Sequence, residues 1–464
     1  MEQRHAERLL QAGCERGADF VELFQEETRH TSLSYANNRV ETATSVTRYG
    51  VGIRLLFGTD VLYTQTSRDD ESHVLRLIDA VCAVREPTIG SGARSRRHAI
   101  DWRSPDLEPR HPVVLDPRGV GPERRLDVLR RADRAARSVS HRVSQVNART
   151  EDVVSEILVC NSEGLWAADT RTRCRFHVTV TAEGGGEMFE AREAPGAQQG
   201  FEFFDELDVE ALAHEAAERA VRLVSAGYVT GGQMPVVVGN GFGGVIFHEA
   251  CGHLLETEGV RHKASVFAAR LGEQIAHAEV TAVDDGTLPG SWGSVRMDDE
   301  GMPARTTVLI KAGVLQTYLS DRLGAQQTGV PRSGNGRRES YRHAPVSRMC
   351  NTYIAAGLHT PAAVIASVDN GLYAKKMGGG SVNPATGEFN FAVEEAYRIR
   401  HGRVAELVRG ASLIGQGETI LPRISMVGDD LAFAAGMCGA SSGHVPVTVG
   451  QPTIRVDEIL VGGR

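Results

Sequence analysis

The residues best suited to chemistry are His248-Glu249-Ala250-Cys251-Gly252-His253, which follow the small, apolar run Gly243-Gly244-Val245-Ile246-Phe247. Two imidazoles with a carboxylate directly after the first are the parts a zinc hydrolase needs. The histidines hold the metal, and the glutamate takes a proton from the metal-bound water. The spacing is H-E-x-x-x-H, one residue longer than the common H-E-x-x-H. On an α-helix, positions i and i+4 lie about 40° apart and positions i and i+5 about 140° apart. A straight helix would therefore point the two histidines away from each other. Convergence on one ion requires a π-bulge or a break, and Gly252 is a suitable place for it. The competing reading is a buried helix with two satisfied histidines.

A catalytic zinc takes three protein ligands, and the far end of the chain offers one. Cys438 sits between glycines in Gly436-Met437-Cys438-Gly439, ahead of Ser441-Ser442-Gly443-His444-Val445-Pro446-Val447. A thiolate in a glycine-flanked turn lets backbone amides approach the negative sulfur. Considered alone, such a thiol is more often an inert buried cysteine. Other candidates are looser. Arg348 and Tyr353 could polarise a developing oxyanion, and His343 and His444 could orient substrate or the metal ligands. Gly378-Gly379-Gly380 reads either as a structural turn or as a place where substrate backbone comes close.

Two alternatives in the sequence carry less. Gly239-Asn240-Gly241-Phe242-Gly243-Gly244 follows a strand and precedes a helix, but its glycine spacing is wrong for a dinucleotide fingerprint and no βαβ unit follows. Asp284, Asp285, Asp298, Asp299 and Glu300 fall in two separate segments without the alternating oxygens of a calcium loop, and read as turns and strand edges.

Over most of its length, and most densely in the second half, the chain resembles the TldD/PmbA family, specifically its catalytically competent TldD type. The resemblance rests on Phe247 to His253, Asp284-Asp285-Gly286-Thr287-Leu288-Pro289-Gly290, Asp298-Asp299-Glu300-Gly301 and Tyr318-Leu319-Ser320-Asp321-Arg322. It continues through Arg348-Met349-Cys350-Asn351-Thr352-Tyr353, Gly378 to Phe389 and Gly450-Gln451-Pro452-Thr453. Cys350 departs from the family, which more often has threonine there. The resemblance implies a zinc-dependent peptidase with His248, His253 and Cys438 as metal ligands and Glu249 as general base. It implies substrates that are unfolded or flexible peptides, and a PmbA-type partner in a heterodimer, or a second copy in a homodimer. Alternatives are an amide hydrolase recruited to small-molecule or modified-peptide biosynthesis, and a noncatalytic assembly subunit, named in this family as a modulator of DNA gyrase.

The elements that must position these residues read as α+β. A helix is predicted over residues 3–17, two strands around Val21–Phe24 and Thr31–Tyr35, and a turn at Asn37-Asn38. A hairpin follows over Tyr49–Phe57 and Val61–Thr64, then a helix near 71–85, an irregular connection over 86–120 and a charged helix from Glu123 to Val139. Strands recur from Val143 to Val180, and a helix from Val209 to Ala226 precedes Gly231-Gly232. The predicted organisation is an N-terminal mixed domain, 1–230, serving as dimerisation element or cavity wall, and a strand-rich catalytic domain, 231–464.

With 464 residues, 41% of them hydrophobic, the chain is long enough for real cores. A net charge of −8 argues against nonspecific nucleic-acid binding. Seven irregularly spaced cysteines make no disulfide framework. No signal core or apolar run of membrane-spanning length is evident, so the sequence reads as cytoplasmic, without membrane or nucleic-acid partners.

Overall fold

The computed structural model describes residues 1–84, 99–383 and 386–464. Its fold is α+β, and it opens with α1 (Gln3–Glu15), whose Ala6, Leu9 and Leu10 form the buried face. The next strand, β1 (Phe20–Ala36), is a single element where two were predicted. The polar middle, Gln25 to His30, looked like a break. It stays extended because β1 is paired along its length on both sides, with β2 (Arg39–Phe57) and with β4 (Val143–Asn161). Asn37 and Asn38 take φ of 52° and 61°, and Ala36 pairs with Arg39, so the predicted turn is a two-residue hairpin loop.

β3 (Asp60–Thr66), α2 (Glu71–Ala83) and α3 (Pro122–Val139) follow, then β5 (Trp166–Gly184) and β6 (Glu187–Glu193). Residues 86–98 of the predicted irregular connection lie outside the described residues. The sheet order is β3-β2-β1-β4-β5-β6, with every neighbouring pair antiparallel. Side chains alternate between its faces. One face carries Val21, Leu23, Leu33, Phe176 and Val178, packed in two apolar clusters with residues of the helices. The opposite face carries Glu22, Phe24, Arg54 and Arg171, and meets the second half of the chain.

Two further large sheets follow, with a two-stranded ribbon of Gly336–Arg337 and Val346–Ser347 beside them. In one, five strands close a ring: Asn370–Val382, Gly232–Val238, Ile454–Gly462, Ser412–Gln416 and Glu388–Arg400, which pairs back to Asn370–Val382. Val236, Leu372, Phe391, Leu413 and Val456 share one apolar core with Phe247, Ala250 and Leu254 of the histidine segment. The other sheet runs Val314–Leu315, Thr306–Lys311, Ala282–Asp285, Asn351–Ile354, Gly443–Gln451, Ala432–Ala440, and the last strand is its edge. Among the described residues no helix is long and apolar enough to cross a membrane.

The acidic residues read as turns are also the junction between the two halves. Glu300 pairs with Arg54 at 2.7 Å and Arg332 at 3.0 Å, Asp299 with Arg171 at 2.6 Å, and Arg338 with Glu22 at 2.6 Å. All are buried. Such pairs contribute little net stability, but leaving one partner uncompensated costs several kcal/mol, which fixes how the first sheet seats on the second half.

Candidate metal centre

The histidine segment is a helix that changes pitch at the chemistry. After Val245–Phe247, residues His248–Gly252 form a π-helical turn, and the His253 amide donates to the His248 carbonyl, a five-residue repeat. That wider turn places i and i+5 on one face. Glycines flank the wide turn where packing is tight. A Cβ at Gly244 would lie 2.6 Å from the Gly450 backbone, and one at Gly252 would lie 2.2 Å from Met349 Sδ. At Gly244 the helix lies against the hairpin backbone more closely than a side chain allows, and at Gly252 a side chain would have to displace Met349.

The hairpin Ala432–Ala440/Gly443–Gln451 delivers the thiol. Cys438 Sγ lies 3.3 Å from His248 Nε2 and 3.2 Å from His253 Nε2, and one possible ligand atom from each of the three residues falls within 4.8 Å of the others. The imidazoles stand nearly perpendicular, at 84°, with centroids 5.0 Å apart. Zinc bond lengths and tetrahedral angles give a sulfur–nitrogen separation of about 3.6 Å, so small rotations would seat the ion. Two nitrogens and one sulfur are a catalytic-type set that leaves a fourth position open. The donor set fits zinc.

The surroundings set each group's state. His253 Nδ1 is 3.0 Å from Glu256 Oε2, and the other carboxylate oxygen accepts the Met349 amide at 3.2 Å. His253 faces Glu256 through Nδ1 and Cys438 through Nε2, and although burial opposes the charged ring, Glu256 and Cys438 hold its pKa well above the usual imidazole value. His248 Nδ1 is buried without a hydrogen-bond partner. Burial opposes ionisation of Cys438, but the charge and hydrogen bonds of His248 and His253 outweigh it, and the thiol is held well below its ordinary range. Glu249 Oε2 lies 3.8 Å from His253 Nε2 with one-fifth of its side chain exposed. Burial pushes its pKa up against the opposing pull of both histidines.

The looser candidates fare differently. Arg348 is fully buried and cannot touch a substrate: it donates to the Cys438 carbonyl at 2.6 Å, the Gly443 carbonyl at 2.9 Å and Ser442 Oγ at 2.9 Å. It clamps the hairpin that carries Cys438. Gly378, Gly379 and Gly380 lie inside a strand with an irregular register, not in a turn. His444 is exposed, pairs across the hairpin with Gly439, and donates its amide to Glu339 at 2.7 Å. Tyr353 packs its ring on Phe433 of the edge strand at 5.3 Å. His343 is half-buried in the loop before Val346–Ser347, its Nδ1 without a partner. Glu256 was not singled out from sequence, although its position three residues after His253 is the available signal.

Three family models match in series: the PmbA/TldA metallopeptidase domain 1 over residues 21–85, the central domain over 115–224 and the C-terminal domain over 231–463. The chain belongs to the PmbA/TldD metallopeptidase family. It is 36% identical to a metalloprotease TldD homolog of Haemophilus influenzae, over 97% of this chain and 94% of that protein. It is 33% identical to a metalloprotease TldD homolog of Buchnera aphidicola, over 98% and 95%. Among solved structures it shares its fold with TldE from Thermococcus kodakarensis, at a TM-score of 0.78 and 19% identity over 99% of this chain and all of that one. A protein from Thermotoga maritima proposed as a modulator of a DNA gyrase matches with a TM-score of 0.79 and 19% identity, again over 99% and 100%. Within this PmbA/TldD chain, the histidine segment, Cys438 and the clamp Arg348 all fall inside the C-terminal match.

Proposed function

We propose that this protein is a zinc-dependent peptidase of the TldD type that hydrolyses flexible or unfolded peptides. The observation that carries the reading is the convergence of His248 Nε2, His253 Nε2 and Cys438 Sγ beside the Glu249 carboxylate. Zinc, when bound, supplies Lewis-acid polarisation of the scissile carbonyl and acidifies water. His248, His253 and Cys438 hold it, Glu256 fixes the tautomer of His253, and Arg348 fixes the Cys438 strand. Glu249, made more basic by burial, takes the proton of the attacking water and passes it to the leaving amine.

Substrate selection follows from the edge strand. Ala432–Ala440 pairs with Gly443–Gln451 on one side and ends its sheet, so an extended peptide can add along it through main-chain hydrogen bonds that ignore side-chain identity. A folded protein offers no such free segment. Residues 1–230 then act as wall or dimerisation element for the catalytic residues 231–464, with a PmbA-type subunit or a second copy completing the cavity in the cytoplasm. The structural likeness to TldE supports a homologous partner. The test is cleavage of a disordered peptide by the zinc-loaded chain, with and without a PmbA-type partner, read by mass spectrometry. Products that vanish in Glu249→Gln support the reading. A wild-type chain that cleaves nothing in either setting removes it.

A further inference from the structure

Alternate residues of β5, Arg171, Arg173, Arg175 and His177, share the face of the first sheet that meets the second half. With side chains from β1, β4 and the Cys438 hairpin they enclose a cavity of about 290 Å³. Six arginines and four carboxylates line it, a surplus of two positive charges. Three of the arginines are matched: Arg171 has Asp299, Arg338 has Glu22 and Arg149 has Glu151. Three are not. Arg173 bonds the Trp292 and Ser294 carbonyls and the Gln198 amide oxygen, and Arg337 bonds the Met349 and Pro446 carbonyls. Arg175 lies over the Trp292 ring at 5.2 Å and reaches only the Ala194 carbonyl. Among the described residues none of these three has a carboxylate within ion-pair distance.

Desolvated cations without counter-charges are costly, and a bound anion relieves that cost. The effect is visible on neighbours: burial, then Arg171 and Arg337, pulls Arg173 down to about 9, and burial followed by Arg175 brings His177 to about 4. His177 is neutral at pH 7 and adds no charge of its own.

The cavity adjoins the chemistry. Met437 lines it, and Met437 immediately precedes Cys438, so the two side chains take opposite faces of the same edge strand about 3.3 Å apart along it. A wider cleft shares Arg175, His177 and Met437 and runs along Phe433–Met437. A peptide added to that edge would turn alternate side chains towards the metal and towards the arginines.

We propose that this cavity is a specificity subsite that takes a carboxylate of the peptide substrate, an Asp or Glu side chain or the chain's own C-terminus, with Arg175 as its anchor. The assignment rests on the peptidase reading above. Arg173 and Arg337 supply the field, held by carbonyls, while the half-exposed Arg175 reaches the ligand in bidentate fashion.

Binding is measured by fluorescence anisotropy on full-length Glu249→Gln protein loaded with zinc. The probes are one flexible peptide in three forms: glutamate with free C-terminus, glutamine with free C-terminus, and glutamine amidated. A glutamate form about tenfold tighter than its glutamine counterpart assigns a side-chain carboxylate, and a free-acid form about tenfold tighter than the amide assigns the terminus. Arg175→Gln erases that difference and leaves the amidated peptide unchanged, whereas Arg175→Lys retains part of it. Equal affinity for all three probes, or a preference that survives in Arg175→Gln, overturns the subsite. Parallel cleavage of the same three peptides by the wild-type chain separates the two readings: cleavage without any acidic preference counts against the subsite alone, and absent cleavage counts against the peptidase.

Discussion

Glu256 makes the sharpest prediction, because its carboxylate ties the histidine segment to the chain just before the strand Asn351–Ile354. One oxygen sits 3.0 Å from His253 Nδ1 and the other accepts the Met349 amide at 3.2 Å. Removing a carboxylate behind a metal-bound imidazole typically costs 10- to 100-fold in metal affinity, about 1.4–2.7 kcal/mol. Glu256→Gln keeps the shape and one acceptor, but its amide nitrogen must face one of two N–H groups, so it should lie near the lower figure. Glu256→Ala loses both contacts and leaves a buried Met349 amide unsatisfied, which adds about 1–3 kcal/mol of destabilisation. Zinc affinity is read by competition with a chromophoric chelator at fixed pH, and fold stability by denaturant titration of the same samples. An Ala variant that binds zinc as tightly as wild type would refute the claim that Glu256 sets the orientation of His253.

Arg348→Met removes three hydrogen bonds from a buried guanidinium and strands the hairpin carbonyls, and should destabilise by about 3 kcal/mol or more in denaturant titration while weakening zinc binding. Gly252→Ala puts a methyl into Met349 Sδ and should lower zinc occupancy, measured by elemental analysis, more than global stability. Acid lability has a stated source in His111 and His177, both held at about 4, the first by burial and then Arg173, the second by burial and then Arg175. Their folded pKa lies below the unfolded 6.5, so the unfolded chain binds more protons between those values. Stability should be flat above about pH 7 from this source and fall as pH drops from 6.5 towards 4. His111→Asn, which cannot be protonated, should flatten that slope in thermal melts recorded across the range.

Legibility in the sequence tracked how local each constraint is. The pitch change at His248–Gly252 was readable because angular spacing is a property of six consecutive residues. Cys438 lies 185 residues from His253, and only the family resemblance, not spacing, paired them. Arg348 was read as a substrate contact because an arginine in a motif looks chemical; the carbonyls that consume it belong to a hairpin distant in sequence. β1 was read as two strands, around Val21–Phe24 and Thr31–Tyr35, with polar residues left between them. The hydrogen-bonding and charge partners of those polar residues come from β2, β4 and the second half, which a local pattern does not contain. The same blindness hid Asp299 and Glu300, whose partners Arg171 and Arg54 sit more than a hundred residues away. One further signal was there to be read: Arg171, Arg173 and Arg175 alternate with Thr172, Cys174 and Phe176, the signature of a strand with one charged face.

The central claim is that two imidazoles and one thiolate hold a zinc ion beside Glu249. Zinc K-edge X-ray absorption on the purified full-length chain tests it most directly. The account predicts one zinc per chain with a single sulfur at about 2.3 Å and two imidazole nitrogens at about 2.0–2.1 Å, the sulfur shell disappearing in Cys438→Ser. A zinc shell without sulfur in wild type, or one unchanged by Cys438→Ser, would contradict it.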